Sequence, residues 1–167
     1  KTGTQQIISK ENPNYKKLKS RIVHITPDKL TDTNVVVSGI PFRVIRLEHS
    51  HYEKLDTISG KYVNKHRNIE NLGFQFELNG VKIFHCGDTN PSNEEEYNRY
   101  ELFNENIDIA FMERQFFSHY RGHAIKTIKQ YTNPKHIVLM HIRPENKKAF
   151  YDYAQKVENL YVFRDKL

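Results

Sequence analysis

A single cysteine, Cys86, stands in 167 residues, so no internal disulfide framework holds this chain together. Beside Asp88 that thiol reads either as a small buried hydrophobe or as a metal ligand. An apolar run of the roughly eighteen residues that a membrane-spanning helix needs is missing too, and Lys1 opens no signal-peptide pattern. Internal repeats and low-complexity linkers are also lacking, which leaves residues 1–167 reading as one domain. Apolar residues are sparse, 37% against 28% charged, a thin supply of apolar surface for a core.

The net charge of +6 raises the question of nucleic acid. Its distribution argues against such a partner. Residues 1–30 hold seven Lys or Arg against two acids, while the rest hold nineteen against eighteen. The excess sits in a basic stretch around Tyr15-Lys16-Lys17-Leu18-Lys19-Ser20-Arg21 that carries no recognition motif and reads as a solvated helix end.

The segment Asn71 to Asn90 organises the remainder. Leu72, Phe74, Phe76 and Leu78 alternate with Gly73, Gln75 and Glu77, Asn79-Gly80 suits a type I′ turn, and Val81, Ile83 and Phe84 start a return strand. That strand stops at Cys86-Gly87-Asp88-Thr89-Asn90-Pro91, where Gly87 lets the backbone turn and Asp88 is presented at a strand end. Alone, Asp88 reads as a turn cap. Two other expected strands also end in chemistry. Phe42–Leu47 runs into Glu48-His49-Ser50-His51, and His136–Met140 runs into His141-Ile142-Arg143-Pro144. Imidazoles and a carboxylate are donors that divalent zinc, iron or manganese accept, and a carboxylate has two oxygens with which to bridge a pair of ions.

Further elements follow from local pattern. A helix interrupted at Pro13 is expected over Thr4–Lys19, and strands over Arg21–Ile25, Asn34–Val37 and Ile40–Leu47, the last two joined by a turn at Ser38-Gly39. Tyr52–Arg67 has no sustained period and reads as a long loop. Ser92 with Glu95 forms a capping-box pattern for a helix reaching about Phe103, Ile107–Met112 reads as a buried strand, and Gly122–Tyr131 and Glu145–Val157 as helices. Tyr161–Phe163 completes the series as a short strand. Glu113, at the end of a strand, suits an orienting partner for His141 or His49. His51 lies close enough to His49 to exchange roles with it, while His24, His66, His85, His119 and His136 read as structural or surface residues.

The succession strand, Gly87-Asp88-Thr89, helix, Ile107-Asp108-Ile109-Ala110, helix, Pro134-Lys135-His136-Ile137-Val138-Leu139-Met140-His141 resembles the second half of the metallo-β-lactamase fold. The resemblance implies half of an αββα sandwich, an α+β arrangement with a mainly antiparallel sheet and helices on its outer face. It also implies a binuclear divalent-metal site, zinc first with iron or manganese as alternatives, held by His49, Asp88 and His141, with Asp88 bridging. The activity it implies is hydrolysis of an ester, lactone, amide or phosphodiester in a small-molecule substrate by a water that the ions activate. Asp88 is then catalytic as well as a ligand, and His123 is placed either as a proton donor, as in RNA-cleaving relatives, or as a surface residue at a helix start.

One departure qualifies this. The family's H-x-H-x-D-H signature has no counterpart, since the nearest segment, His49-Ser50-His51-Tyr52-Glu53-Lys54, ends in a protonated Lys and lies too close to Asp88. The chain therefore reads as a C-terminal half, expected to bind metal weakly and to be inactive by itself. Its apolar sheet face is expected to drive self-association or association with the missing N-terminal half. Two alternatives stand beside the hydrolase: a metal-free structural or binding module, and an RNA-processing nuclease of the same superfamily.

Overall fold

The computed structural model describes residues 25, 27, 28, 30–50, 53–55, 57, 58, 60, 62–64, 70–92 and 94–163. The helix expected over Thr4–Lys19, nearly all of the strand expected over Arg21–Ile25, and His24, His51 and His66 lie outside the described residues.

β1 (Asp32–Val37) and β2 (Ile40–Glu48) pair as a hairpin about Ser38 and Gly39, both at positive φ. β5 (Glu70–Leu78) lies antiparallel to β2, and β6 (Val81–His85) returns from it through Asn79 and Gly80, whose φ values of 51° and 80° are those the I′ turn requires. From there the pairing changes sense. β6, β7 (Ile109–Glu113), β8 (His136–Met140) and β9 (Leu160–Val162) are parallel neighbours, giving a mixed sheet in the order β1-β2-β5-β6-β7-β8-β9. Parallel neighbours need crossovers, and helices supply them: α1 (Glu94–Arg99), α2 (Gln115–Tyr120), α3 (Ala124–Thr132) and α4 (Lys147–Ala154). The α+β class expected from the sequence is thus present, with antiparallel pairing confined to the first half of the sheet and to a separate ribbon. That ribbon, β3 (Glu53–Leu55) with β4 (Tyr62–Asn64), corrects the expectation of a long loop over Tyr52–Arg67.

The direction of the strands positions the site. β6, β7 and β8 run the same way, and β2, two antiparallel steps from β6, runs with them. Four strand ends therefore face one edge of the sheet, carrying His49, Asp88, Glu113 and His141. One sheet face is built from Ile45, Leu47, Phe84, Ala110, Met112, Ile137 and Leu139, all buried, with Tyr97, Phe116, Ile128 and Tyr131 of the helices packed into the same core. Burying one such side chain contributes about 1.5–3 kcal/mol. The opposite face carries Phe42 against Phe76, with ring centroids 4.8 Å apart, and Phe111 stacked between His85 and Phe163.

Helix ends depart from the sequence pattern for local reasons. α1 stops at Arg99 because Glu101 enters the left-handed region at φ 53°, and a 3-10 turn, Leu102–Glu105, takes the place of its expected last turn. The Ser92 hydroxyl donates to Asn90 Oδ1 at 2.7 Å. The expected helix over Glu145–Val157 resolves into a 3-10 turn, Pro144–Asn146, followed by α4.

Glu96 on α1 is buried, with Oε2 accepting the Glu48 N–H at 2.6 Å. Burial pushes its carboxyl up to about 7, against the opposing pull of that hydrogen bond. A carboxyl that holds its proton more tightly in the fold than in the unfolded chain stabilises the fold progressively as pH falls from above 7 towards 4.5. Thermal melts across that window are expected to show this gain for the wild type and a flatter profile for Glu96→Gln; an unchanged slope in the variant would assign the pH dependence elsewhere.

Candidate metal centre

The turn after β6 is clasped from the side. Asn71, buried at the start of β5, donates Nδ2 to the Cys86 carbonyl at 3.1 Å and accepts the Asp88 N–H on Oδ1 at 2.8 Å. Gly87 passes beneath at φ 66°, where an added Cβ would lie 2.2 Å from Asn71 Oδ1 and 2.7 Å from the Leu72 carbonyl. Across the turn, the Ser50 N–H donates to the Asp88 carbonyl at 2.8 Å, and the Asn90 N–H to the Glu48 carbonyl at 2.8 Å. A β-bridge between His49 and Thr89 completes the seam. The end of β2 and the turn after β6 are thus sewn together, which fixes His49 beside Asp88.

Asp88 divides its two oxygens between two histidines. Oδ2 lies 3.4 Å from His49 Nε2, and Oδ1 lies 3.8 Å from His141 Nδ1 while accepting the Ser50 hydroxyl at 2.6 Å. His49 Nδ1 lies 2.9 Å from the Ser50 carbonyl, which can only accept, so Nδ1 donates there and Nε2 faces the carboxylate. His141 follows β8 at φ 54°, a left-handed conformation uncommon for a residue with a side chain. The Met140 carbonyl accepts the Arg114 N–H at 3.2 Å, and the His141 carbonyl accepts Arg114 Nε at 3.0 Å, so the strained turn is held from both sides.

Glu113, at the end of β7, completes the group. Its side chain is 2% exposed, and Oε2 approaches His141 Nδ1 to 2.6 Å. His141 is thus the partner of this buried carboxylate oxygen. Burial pushes its carboxyl up to about 6, with His141 drawing it down and Asp88 adding to the rise. Donor atoms of Asp88, Glu113 and His141 all fall within 4.8 Å of one another. His85, a half-buried neighbour on β6, is lowered by burial first and by His141 second, and its Nδ1 accepts the Gly87 N–H at 3.1 Å.

The donor chemistry fits a divalent cation. Nε2 of His49 and an oxygen of Asp88 face each other at a spacing close to the roughly 3.3 Å that separates two donors bound 2.0–2.2 Å from one tetrahedral zinc. The buried Glu113 carboxylate beside them brings negative charge to a poorly solvated place, which a cation would offset.

The structure brings together His49, Asp88 and His141, and adds Ser50, Asn71 and the ligating potential of Glu113. It does not bring His123 to them. That residue ends the 3-10 turn before α3 with its side chain exposed, and among the described residues it forms no hydrogen bond or ion pair with the cluster. Cys86 is fully buried, and burial pushes its thiol up, away from the thiolate a metal would need.

The family model described as "Beta-lactamase superfamily domain" matches residues 1–142. No curated protein matches the chain. Among solved structures, a Thermotoga maritima protein assigned as a Zn-dependent hydrolase of the metallo-beta-lactamase superfamily is similar at 18% identity, with a TM-score of 0.42. The alignment covers 77% of this chain and 57% of that one, so this chain spans little more than half of its neighbour's length.

Proposed function

The chain belongs to the metallo-β-lactamase superfamily, a group made up largely of hydrolases, and from that premise we propose that Asp88 is the shared ligand of a divalent-metal hydrolase centre, with His49 and His141 on either side. The observation that supports this most is the split of one carboxylate between two imidazoles, at 3.4 and 3.8 Å. Zinc is the first candidate ion, with iron or manganese as alternatives.

A bound divalent ion supplies Lewis acidity and brings a water's pKa towards neutrality. The chain's own residues set the geometry for that chemistry. Ser50 Oγ donates to Asp88 Oδ1, fixing the plane of the carboxylate. Asn71 fixes the Asp88 backbone, and the Ser50 carbonyl sets the His49 tautomer so that Nε2, rather than Nδ1, faces inward. Asp88 and Glu113 together bring two carboxylates to one strand edge, enough negative charge to offset a dipositive ion.

The substrate class is an ester, lactone, amide or phosphodiester. Full-length protein, treated with a chelator and then resupplied with Zn²⁺, Mn²⁺ or Fe²⁺, is expected to lose and regain hydrolysis of at least one member of such a panel. Hydrolysis indifferent to the chelator, or none by metal-loaded protein on any member, would contradict this reading.

A further inference from the structure

We propose that Glu113 is a direct third protein ligand, binding the ion held between Asp88 and His141, an inference that rests on the metal-centre reading above and adds a donor to it.

Three features of the geometry carry it. Glu113 Oε1 is engaged by the Gln115 N–H at 3.3 Å, while Oε2, almost fully buried, points into the cluster, with His141 Nδ1 2.6 Å away. A carboxylate taken from water keeps a desolvation cost that one half-exposed imidazole offsets only in part, and a cation would offset more of it. Secondly, the His141 ring is placed between two carboxylates, with Nδ1 the atom closest to both, 2.6 Å from Glu113 and 3.8 Å from Asp88. If Glu113 only oriented the ring, the ion would sit on Nε2, on the far side from Asp88. The closer approach of Nδ1 to Asp88 places the ion on the same atom that faces Glu113. Thirdly, His141 reaches this position from a left-handed backbone that Arg114, the residue next to Glu113, secures through the His141 carbonyl. Strain concentrated at one side chain and braced by its partner's neighbour is what a built donor set requires.

A distance of 2.6 Å between nitrogen and oxygen suits a shared proton, whereas two donors on one zinc stand roughly 3.3 Å apart. An ion replacing the proton must open this pair by roughly 0.7 Å, from the same donor spacing. His141 has room to do so, with half of its side chain exposed, while Glu113 is fixed in the core. A set of one imidazole and two carboxylates is also harder than a histidine-rich one, so Mn²⁺ or Fe²⁺ is expected to bind there alongside Zn²⁺.

The test measures Zn²⁺ affinity by competition with a chromophoric chelator, and the visible spectrum of Co²⁺-loaded protein, for full-length wild type, Glu113→Gln, Glu113→Asp, Asp88→Asn and His141→Ala. Glu113→Gln is expected to weaken binding by more than the roughly 10- to 100-fold that loss of an orienting partner costs, and to change the Co²⁺ spectrum at saturation. Glu113→Asp keeps the charge but withdraws it by one methylene. It is expected to change the spectrum in the same direction, and it serves if the Gln variant does not fold. Affinity within threefold of wild type, or weakened binding with an unaltered saturated spectrum, overturns the proposal while His141→Ala still losing metal leaves the hydrolase centre standing. Full Zn²⁺ binding by Asp88→Asn and His141→Ala would instead overturn the centre itself, and this inference with it.

Discussion

Asp88→Ala is expected to empty both metal positions together and to bring hydrolysis to background. His49 and His141 each face one oxygen of Asp88, so in the proposed centre each would serve one ion, whereas the carboxylate would serve both and offset their charge, two-metal sites having separations of about 3.5–4 Å. Losing the several kcal/mol that bound ions contribute to the transition state corresponds to roughly a thousandfold in rate, at tenfold for each 1.4 kcal/mol. His141→Ala is expected to remove mainly one ion. Asp88→Asn keeps the shape and the Ser50 contact but not the charge, and is expected to resemble Ala more than wild type. Elemental analysis of the purified full-length variants checks all three. Asp88→Ala retaining both metals with full activity would return Gly87-Asp88 to an ordinary turn.

The second large effect concerns the residue before it. Gly87→Ala is expected to cost on the order of 3 kcal/mol or more. About 1–2 kcal/mol comes from holding a side-chain-bearing residue in the left-handed region. A further 1–3 kcal/mol or so comes from forcing a methyl towards the Asn71 side chain and the Leu72 carbonyl, which β5 holds in place. Thermal melts are expected to show a loss of roughly 6–12 °C for a chain of this size. Gly39→Ala separates the two contributions, because Gly39 also has a positive φ, 82°, but nothing within 4 Å of an added methyl. It is expected to lose only the conformational part. Equal losses in the two variants would show that the Asn71 clasp does not crowd Gly87.

The contrast between these residues also explains what could be read from the sequence. The β5–β6 hairpin was legible because its signals are local: alternation from Leu72 to Leu78, then Asn79-Gly80, then Val81. β8 was legible as a short apolar run, and so were the strand-end residues His49, Asp88 and His141. Their convergence came from the family resemblance, since it depends on the parallel order of β6, β7 and β8 and on β2 sharing their direction. Ser50 and Asn71 were not legible. They lie 38 and 17 residues from Asp88, and only the antiparallel register of β2 with β5 and the His49–Thr89 bridge bring them to it. Glu113 was singled out as an orienting partner from its place at a strand end, but its burial beside His141 is a tertiary fact. The elements missed were too short for periodicity to appear. α2 is six residues whose one buried side chain is Phe116, and the strands of the β3–β4 ribbon are three residues each. Helix ends were overrun where a left-handed residue, Glu101, stopped the backbone without a glycine to announce it.

Anomalous diffraction at the zinc edge, on crystals of the full-length protein grown with Zn²⁺, tests the metal centre most directly. A peak is expected within about 2.0–2.2 Å of Asp88 and a His141 nitrogen, with a second on the His49 side of the same carboxylate. A map with no peak at Asp88, or with zinc only at surface histidines such as His119 or His136, would contradict it.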